Sequence, residues 1–305
     1  MMPAIDVTGE LLKSVSRSFY LTIHFLPREM RPAVALGYML ARATDSVADS
    51  LQAQTQLRID VLKRMAQCID GKAEDAEIKA LQEDLSGKIV PALTSASEQQ
   101  LLREFSACLH ALSTFDAVQA GLIRKVLSTI IEGQIWDLTA FVAADTVSSD
   151  DETRRYTYMV AGCVGEFWTE LGYAAMGDRF CVAERQGIMM KAGVRYGQGL
   201  QLINILRDME EDAARGRHYL CSAPEKWLHR ADSYMNDGID YSRRLGTFKL
   251  RFASILPALL GKKTIKLLGR SKLGRGKVKI KRSTVYWTLL QALFVCLVRR
   301  ASASC

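Results

Sequence analysis

An all-α fold is predicted for this chain of 305 residues. Three observations predict it. Only six prolines occur, and none lies between Pro91 and Pro224; proline removes a helix donor and clashes with the preceding turn, so a long stretch without it favours helices. That stretch is rich in Ala, Leu, Met and Glu, which carry high helix propensity. Apolar residues recur at helical spacing, whereas period-two alternation is scarce outside Lys277–Lys281.

Each element follows from the same signals. Helices are expected over 31–50, 55–70, 98–111, 115–142, 153–176, 181–214, 230–246 and 284–299. Pro27 and Pro32 sit where the first of these begins, the place at which a helix tolerates proline. Ser149-Asp150-Asp151-Glu152 fits a capping box ahead of the helix at 153. Hydrophobic residues make up 49% of the chain and charged residues 24%, values of a folded globular protein. With no internal repeat or low-complexity linker, a single domain over 1–305 is expected, its helices packed around a central cavity. The Gly- and Lys-rich segment 255–283 is the expected irregular excursion, followed by a C-terminal helix at 284–299.

The net charge of +8 is unevenly placed, with ten Lys and Arg and no acid between Lys262 and Arg282. Such a block reads as a solvated segment or as one that meets anionic lipid. No zinc-finger or aromatic-basic pattern accompanies it, which excludes nucleic acid from the expected partners. The apolar tract from Val285 to Val298 contains Gln291 and is too short to span a bilayer comfortably. It reads as a last core helix, and its basic flanks leave room for peripheral membrane contact. Seven cysteines without a CxxC point to free thiols in a reducing compartment. The N-terminal MMPAIDVTGELL lacks the basic and apolar regions of a signal peptide, so a cytoplasmic location is expected, peripheral to the membrane face at most.

Two helices carry polar stripes that their composition does not explain. In AVALGYMLARATDSVADS, Tyr38, Arg42, Asp45 and Asp49 recur at spacings of four, three and four, which places them on one helix face. In MMKAGVRYGQGLQLINILRDMEED, Gln201, Asn204, Asp208 and Asp212 form a second stripe among Leu and Ile. Ionised groups on such apolar helices need water, opposite charge or metal. Carboxylates four apart stand about 6 Å apart along the axis, so both can serve one ion or adjacent ions. Hard oxygen donors suit Mg2+, which keeps waters and shares substrate phosphates. A di-iron bundle would require Glu-x-x-His, and none of His24, His110, His218 or His229 has Glu three residues before it.

Five ordered segments resemble the squalene/phytoene synthase family: Ser16-Arg17-Ser18-Phe19; YMLARATDSVAD from Tyr38 to Asp49; YTYMVAGCVG from Tyr156 to Gly165; QLINILRDMEED from Gln201 to Asp212; and Arg215-Gly216-Arg217-His218-Tyr219. The segment GQIWD from Gly133 to Asp137 is similar to a further G-x-x-x-D element of the family, with Asp137 as an added polar group. The resemblance implies an isoprenoid-synthase fold. It also implies head-to-head (1'-1) condensation of two allylic diphosphates, farnesyl diphosphate above all, through presqualene diphosphate to squalene with hydride from NADPH. It assigns Mg2+ to Asp45, Asp49, Asp208 and Asp212, and diphosphate oxygens to Arg17, Arg42, Arg207 and Arg217. Ser16, Gln201 and Asn204 would complete the polar mouth, and Tyr38 and Tyr156 would transfer protons near the leaving pyrophosphate. Phe19, Val160, Val164 and Phe167 would line the tunnel for the isoprenoid tails. A monomer is expected.

Alternatives stay open at this point. A phytoene or dehydrosqualene synthase, or a presqualene diphosphate synthase, would omit the reductive step. No GxGxxG fingerprint speaks for NADPH, whose use is implied by the resemblance alone. From a different class, a non-catalytic helical protein could dock on membranes through Lys262–Arg282.

Overall fold

The computed structural model describes residues 9–16, 19–142, 145–147, 149–270 and 282–297. It is all-helical: the described residues contain no strand, and their one isolated bridge joins Thr146 and His218. They divide into two compact units, residues 1–24 with 28–143, and residues 25–27 with 144–305.

In the first unit the chain forms α1 (Glu10–Ser16), α2 (Phe19–Phe25, of which Phe25 falls in the second unit), α3 (Arg31–Ala48) and α4 (Thr55–Asp70). Then come α5 (Asp75–Asp84), α6 (Ala96–Arg103), α7 (Phe105–Ser113) and α8 (Ala117–Ala140). Helix α3 starts with Pro32 in its first turn, and its Ala33, Leu36, Met39, Leu40, Ala43 and Val47 are buried against α8, α4, α7 and α6. Helix α4 ends on Gly71 at φ 76°, a left-handed cap that glycine adopts without Cβ strain. Helix α8 is capped by Asp116, whose carboxylate accepts from the backbone N–H groups of Val118 and Gln119.

The helix expected over 98–111 is two helices. The chain bends at Glu104, whose N–H is shared between the carbonyls of Gln100 and Leu101. Leu101, Leu102, Phe105, Cys108, Leu109 and Leu112 are all buried, so apolar periodicity runs through the bend and conceals it. Helix α5 gave no signal because Leu81 alone of its residues is buried.

The second unit contains α9 (Asp150–Thr157), a π turn at Tyr158–Gly162, α10 (Cys163–Met176) and α11 (Gln186–Ala213). It continues with α12 (Pro224–Arg244), α13 (Phe248–Leu268) and α14 (Arg282–Leu297). Ser149 caps α9 by accepting from the N–H of Glu152, as its sequence indicates. Helix α12 starts six residues before the expected 230, at Pro224, which occupies its first turn.

The irregular excursion expected over 255–283 is corrected for its first half: residues 255–268 belong to α13. Ile255, Ala258, Leu259, Ile265 and Leu268 are buried at helical spacing, and this face outweighs the Gly and Lys content and the internal Pro257. Lys262, Lys263 and Lys266 therefore stand on a helix. Residues 271–281, the rest of the expected excursion, lie outside the described residues.

Candidate functional site

The first unit brings together the α3 stripe. Tyr38 stacks on Phe19 with ring centroids 5.2 Å apart, and its hydroxyl donates to the Val15 carbonyl at 3.3 Å. One turn on, Arg42 donates to Glu98 of α6 at 2.5 Å, a partner the sequence reading missed. Next, Asp45 accepts at 2.5 Å from Nε2 of Gln134, the buried glutamine of the GQIWD segment on α8. Burial pushes the Asp45 carboxyl up to about 6 and the charge of Asp49 adds to this, while Arg42 and the Gln134 hydrogen bond act in the opposite direction. Asp49 closes the helix as its C-cap, at near-helical φ −87° and ψ −2°, so it keeps the register of the stripe. Ser16 is buried and its hydroxyl donates to its own helix, to the Leu12 carbonyl at 2.6 Å. Arg17 lies outside the described residues.

The second unit builds a separate polar face on α11. Leu202, Ile203, Ile205 and Leu206 are buried, and Gln201, Asn204, Asp208 and Asp212 stand half-buried or exposed beside them. Asn204 donates to Gln201 at 3.4 Å. Arg207 forks onto Asp208 with bonds of 2.8 and 2.6 Å, the bidentate geometry that guanidinium also offers to phosphate. After α11 the chain reverses through Gly216 at φ 71°, and the Arg217 N–H returns to the Asp212 carbonyl at 2.9 Å. The turn places Asp212, Arg217, His218 and Tyr219 around one small cleft together with Ile205 and Met209.

That turn is held against α9. Tyr219 stacks on Tyr156 at 5.0 Å and 12°, and Thr153 donates to the Tyr219 carbonyl at 2.6 Å. Ser222 and Lys226 both donate to Asp150, and Trp227 donates to Ser222 at 2.9 Å. The Lys226 bond, followed by that of Ser222, holds the Asp150 carboxyl down at about 2. Tyr156 is therefore buried beneath the turn that carries Arg217. Val160 lies in the π turn and is half-buried, Val164 is 39% exposed, and Phe167 is buried. The neighbouring Tyr158, not singled out from the sequence, donates to Glu166 at 2.7 Å.

The donor set fits Mg2+. It is made of oxygen only. Among the described residues no group of three or more His, Cys, Asp or Glu side chains is arranged for a metal; the candidate carboxylates stand two to a stripe, four residues apart. Mg2+ is bound in this manner, by one or two carboxylates with waters and substrate phosphates completing the shell. Asp45 with Asp49 would hold it in the first unit, and Asp208 with Asp212 in the second.

The chain is similar to known proteins in sequence and in fold. The profile of the squalene/phytoene synthase family matches residues 12–237. The chain is 29% identical over 219 residues to the presqualene diphosphate synthase of Rhodopseudomonas palustris, covering 71% of this chain and 61% of that protein. It is 28% identical over 247 residues to the squalene synthase of Eremothecium gossypii, covering 76% and 51%. To the bifunctional lycopene cyclase/phytoene synthase of Phaeosphaeria nodorum it is 28% identical over 220 residues, covering 72% and 34%. The chain thus spans less than two thirds of the length of each of these three relatives. The fold is that of a solved complex of TcSQS with the ligand E5700, at a TM-score of 0.69 and 21% identity over 97% of this chain and 92% of that one. A dehydrosqualene synthase complex gives a TM-score of 0.55 at 18% identity, covering 92% of each chain. With the matched profile spanning most of its length, the chain belongs to the squalene/phytoene synthase family.

Proposed function

We propose that this chain condenses two farnesyl diphosphates head to head, through presqualene diphosphate, to squalene with hydride from NADPH, and that its two units work as one monomeric catalytic domain. One observation carries the reading. Two helices in different units, α3 with its C-cap Asp49 and α11, each present two carboxylates four residues apart with an arginine alongside, beside a face of buried apolar residues. The family is one of head-to-head prenyltransferases and is generally Mg2+-dependent.

Diphosphate leaves poorly until its charge is neutralised, and bound Mg2+ supplies that neutralisation as the charge develops. The residues of the chain do the rest. Arg42, Arg207 and Arg217, with Arg17, grip diphosphate oxygens; Arg42 and Arg207 release Glu98 and Asp208 to do so. Tyr38 stands one turn before Arg42, Tyr156 stacks on Tyr219 two residues after Arg217, and both transfer protons beside the leaving pyrophosphate. Phe19, Val160, Val164 and Phe167 keep water from the allylic cation. Gln201 and Asn204 complete the polar rim.

The product is the finer part of the proposal. It is tested by incubating purified protein with labelled farnesyl diphosphate and Mg2+, with and without NADPH. Squalene that forms only with NADPH is the expected result. A C30 hydrocarbon that forms equally without NADPH would make the chain a dehydrosqualene synthase, and accumulation of presqualene diphosphate under both conditions would make it the half-reaction enzyme. No Mg2+-dependent release of pyrophosphate from C15 or C20 diphosphates would favour the non-catalytic reading.

We further propose that α14 rests on an anionic membrane surface. Its Thr288, Ala292 and Cys296 are buried, the last two packing with Phe252, Ile255 and Leu259 of α13. Its opposite side leaves Trp287, Leu290 and Leu293 exposed. Beside it Lys262, Lys263, Lys266 and Gln291 line a groove together with Asp232, which accepts from Lys262 at 2.5 Å; the remaining positive charge matches in sign the basic run that continues to Arg282. None of the described helices is long and apolar enough to cross a membrane. Vesicles containing phosphatidylglycerol are expected to sediment the protein, and neutral vesicles much less. The double variant Trp287→Ser/Leu290→Ser should bind at least about tenfold more weakly, since each side chain gives up on the order of 1.5 kcal/mol of apolar transfer. Equal binding to neutral and anionic vesicles, or a dimer in solution that the same variant dissociates, would refute the lipid contact.

A further inference from the structure

Among the described residues around α3, Gln134 is a buried neutral side chain whose hydrogen bonding is incomplete: its oxygen has no partner, as is true of one nitrogen each of Arg31, Arg42 and Arg58. It lies mid-helix on α8 and is 6% exposed. Its Nε2 donates to Asp45 Oδ1 at 2.5 Å and lies 3.1 Å from the Thr44 hydroxyl, which itself donates to the Ala41 carbonyl. Both amide protons are thereby spent on α3. Its Oε1 is buried and has no hydrogen-bond partner. Turning the amide over would set Oε1 against the Asp45 carboxylate, acceptor against acceptor, so Asp45 fixes the orientation. A buried carbonyl oxygen without a donor costs stability that a Met or Leu at this position would not. Such a group calls for a donor, and a water or the shell of a bound ion is one that can supply it.

We propose that Gln134 is a positioning residue for the Asp45 metal ligand: its amide N–H fixes one carboxylate oxygen of Asp45, and its Oε1 accepts a hydrogen bond from a water on the bound divalent cation. This rests on the reading of Asp45 and Asp49 as Mg2+ ligands. The chemistry is that of outer-sphere support. Mg2+ retains several of its waters, each a strong donor that needs an acceptor, and a carboxylate held by a second hydrogen bond meets the ion in a fixed orientation. Asp45 lies on α3 and Gln134 on α8, two helices that pack directly on one another in the first unit, so the support comes from a rigid element.

The experiment uses the full chain and Mn2+ as a spectroscopic substitute for Mg2+, with free Mn2+ counted by its electron paramagnetic resonance signal. Gln134→Met keeps the volume and removes the amide. It is expected to raise the Mn2+ dissociation constant by about 10-fold or more, the usual size for an outer-sphere partner. Its thermal midpoint sets the removal of one unsatisfied acceptor against the loss of the hydrogen bond to Asp45, so Mn2+ affinity is the deciding readout. If Gln134→Met does not fold, Gln134→Asn is read the same way: it keeps an amide but shortens its reach by one methylene, and should weaken Mn2+ by a similar factor. An unchanged Mn2+ constant in the variant, with Asp45→Asn abolishing binding, overturns the proposal and leaves the metal reading standing. A lowered midpoint with unchanged Mn2+ binding assigns Gln134 to packing and also overturns it. Wild-type protein that takes up no Mn2+ overturns both.

Discussion

Asp45→Asn and Asp208→Asn are each expected to lower turnover by at least about 10²–10³-fold, the loss seen when a group that stabilises developing charge is removed. The substitutions change one oxygen to nitrogen and leave shape almost untouched, so the fold should survive, but for different reasons at the two sites. Asp45 is half-buried beside Gln134 of α8 and lies next to Asp49, and the Gln134 N–H that it accepts can be met by an Asn carbonyl. Removing its charge also removes a repulsion, so the thermal midpoint of Asp45→Asn should hold or rise. Asp208 is 40% exposed at its side chain and loses only its fork to Arg207, an exposed pair worth about 0–1 kcal/mol. Its midpoint should stay close to that of the parent. The assay is Mg2+-dependent pyrophosphate release from farnesyl diphosphate, read beside thermal unfolding. Near-parental turnover in both variants would remove the diphosphate site from α3 and α11. Loss in one alone would confine the chemistry to a single unit and sink the proposal that the two act as one domain.

The legibility of this site follows from what a one-dimensional pattern can hold. The aspartate stripes were readable because helical spacing alone decides which residues share a face, and α3 and α11 are both regular from end to end. The partners of those stripes were not readable. Glu98 reaches Arg42 across 56 residues of sequence and Gln134 reaches Asp45 across 89, and no local signal marks either pairing. Gln134 lies within GQIWD beside the charged Asp137, and an uncharged amide in an apolar helix carries no obvious demand. Elements failed for related reasons. The bend at Glu104 is hidden by continuous apolar periodicity, while α13 was masked by composition. Its Pro257, Gly261 and three lysines read as a loop, although a buried stripe from Leu250 to Leu268 holds it helical. The basic groove beside α14 exists only because those lysines lie on a helix.

The second large effect concerns the VAGCVG segment, where the structure gives the glycines a definite physical task. A Cβ at Gly165 would lie 1.9 Å from the carbonyl oxygen of Gly193 and 2.4 Å from its carbon, both backbone atoms of α11. The approach is mutual, since a Cβ at Gly193 would lie 2.8 Å from the Gly165 oxygen, and one at Gly197 would lie 2.1 Å from the Ala161 oxygen. The segment therefore brings the π turn and α10 into backbone contact with α11, the helix that carries Asp208 and Asp212. Gly165→Ala cannot be relieved by rotating a side chain; a helix must move. Overpacking typically costs about 1–3 kcal/mol and occasionally more, and backbone against backbone belongs at the upper end. The helix-propensity gain of Ala over Gly offsets only about 1 kcal/mol. A net loss of at least about 2 kcal/mol is expected in urea unfolding, together with reduced turnover, because a shift of about 1 Å in positioned groups can cost about 10²-fold. Gly121→Ala on α8 is the opposite case: nothing lies within 4 Å of its Cβ, so propensity alone acts and stability should rise by about 0.4–1 kcal/mol. If Gly165→Ala matched Gly121→Ala in stability, the close approach of α10 and α11 would be wrong. The motif would then have to be explained by its contact with substrate instead.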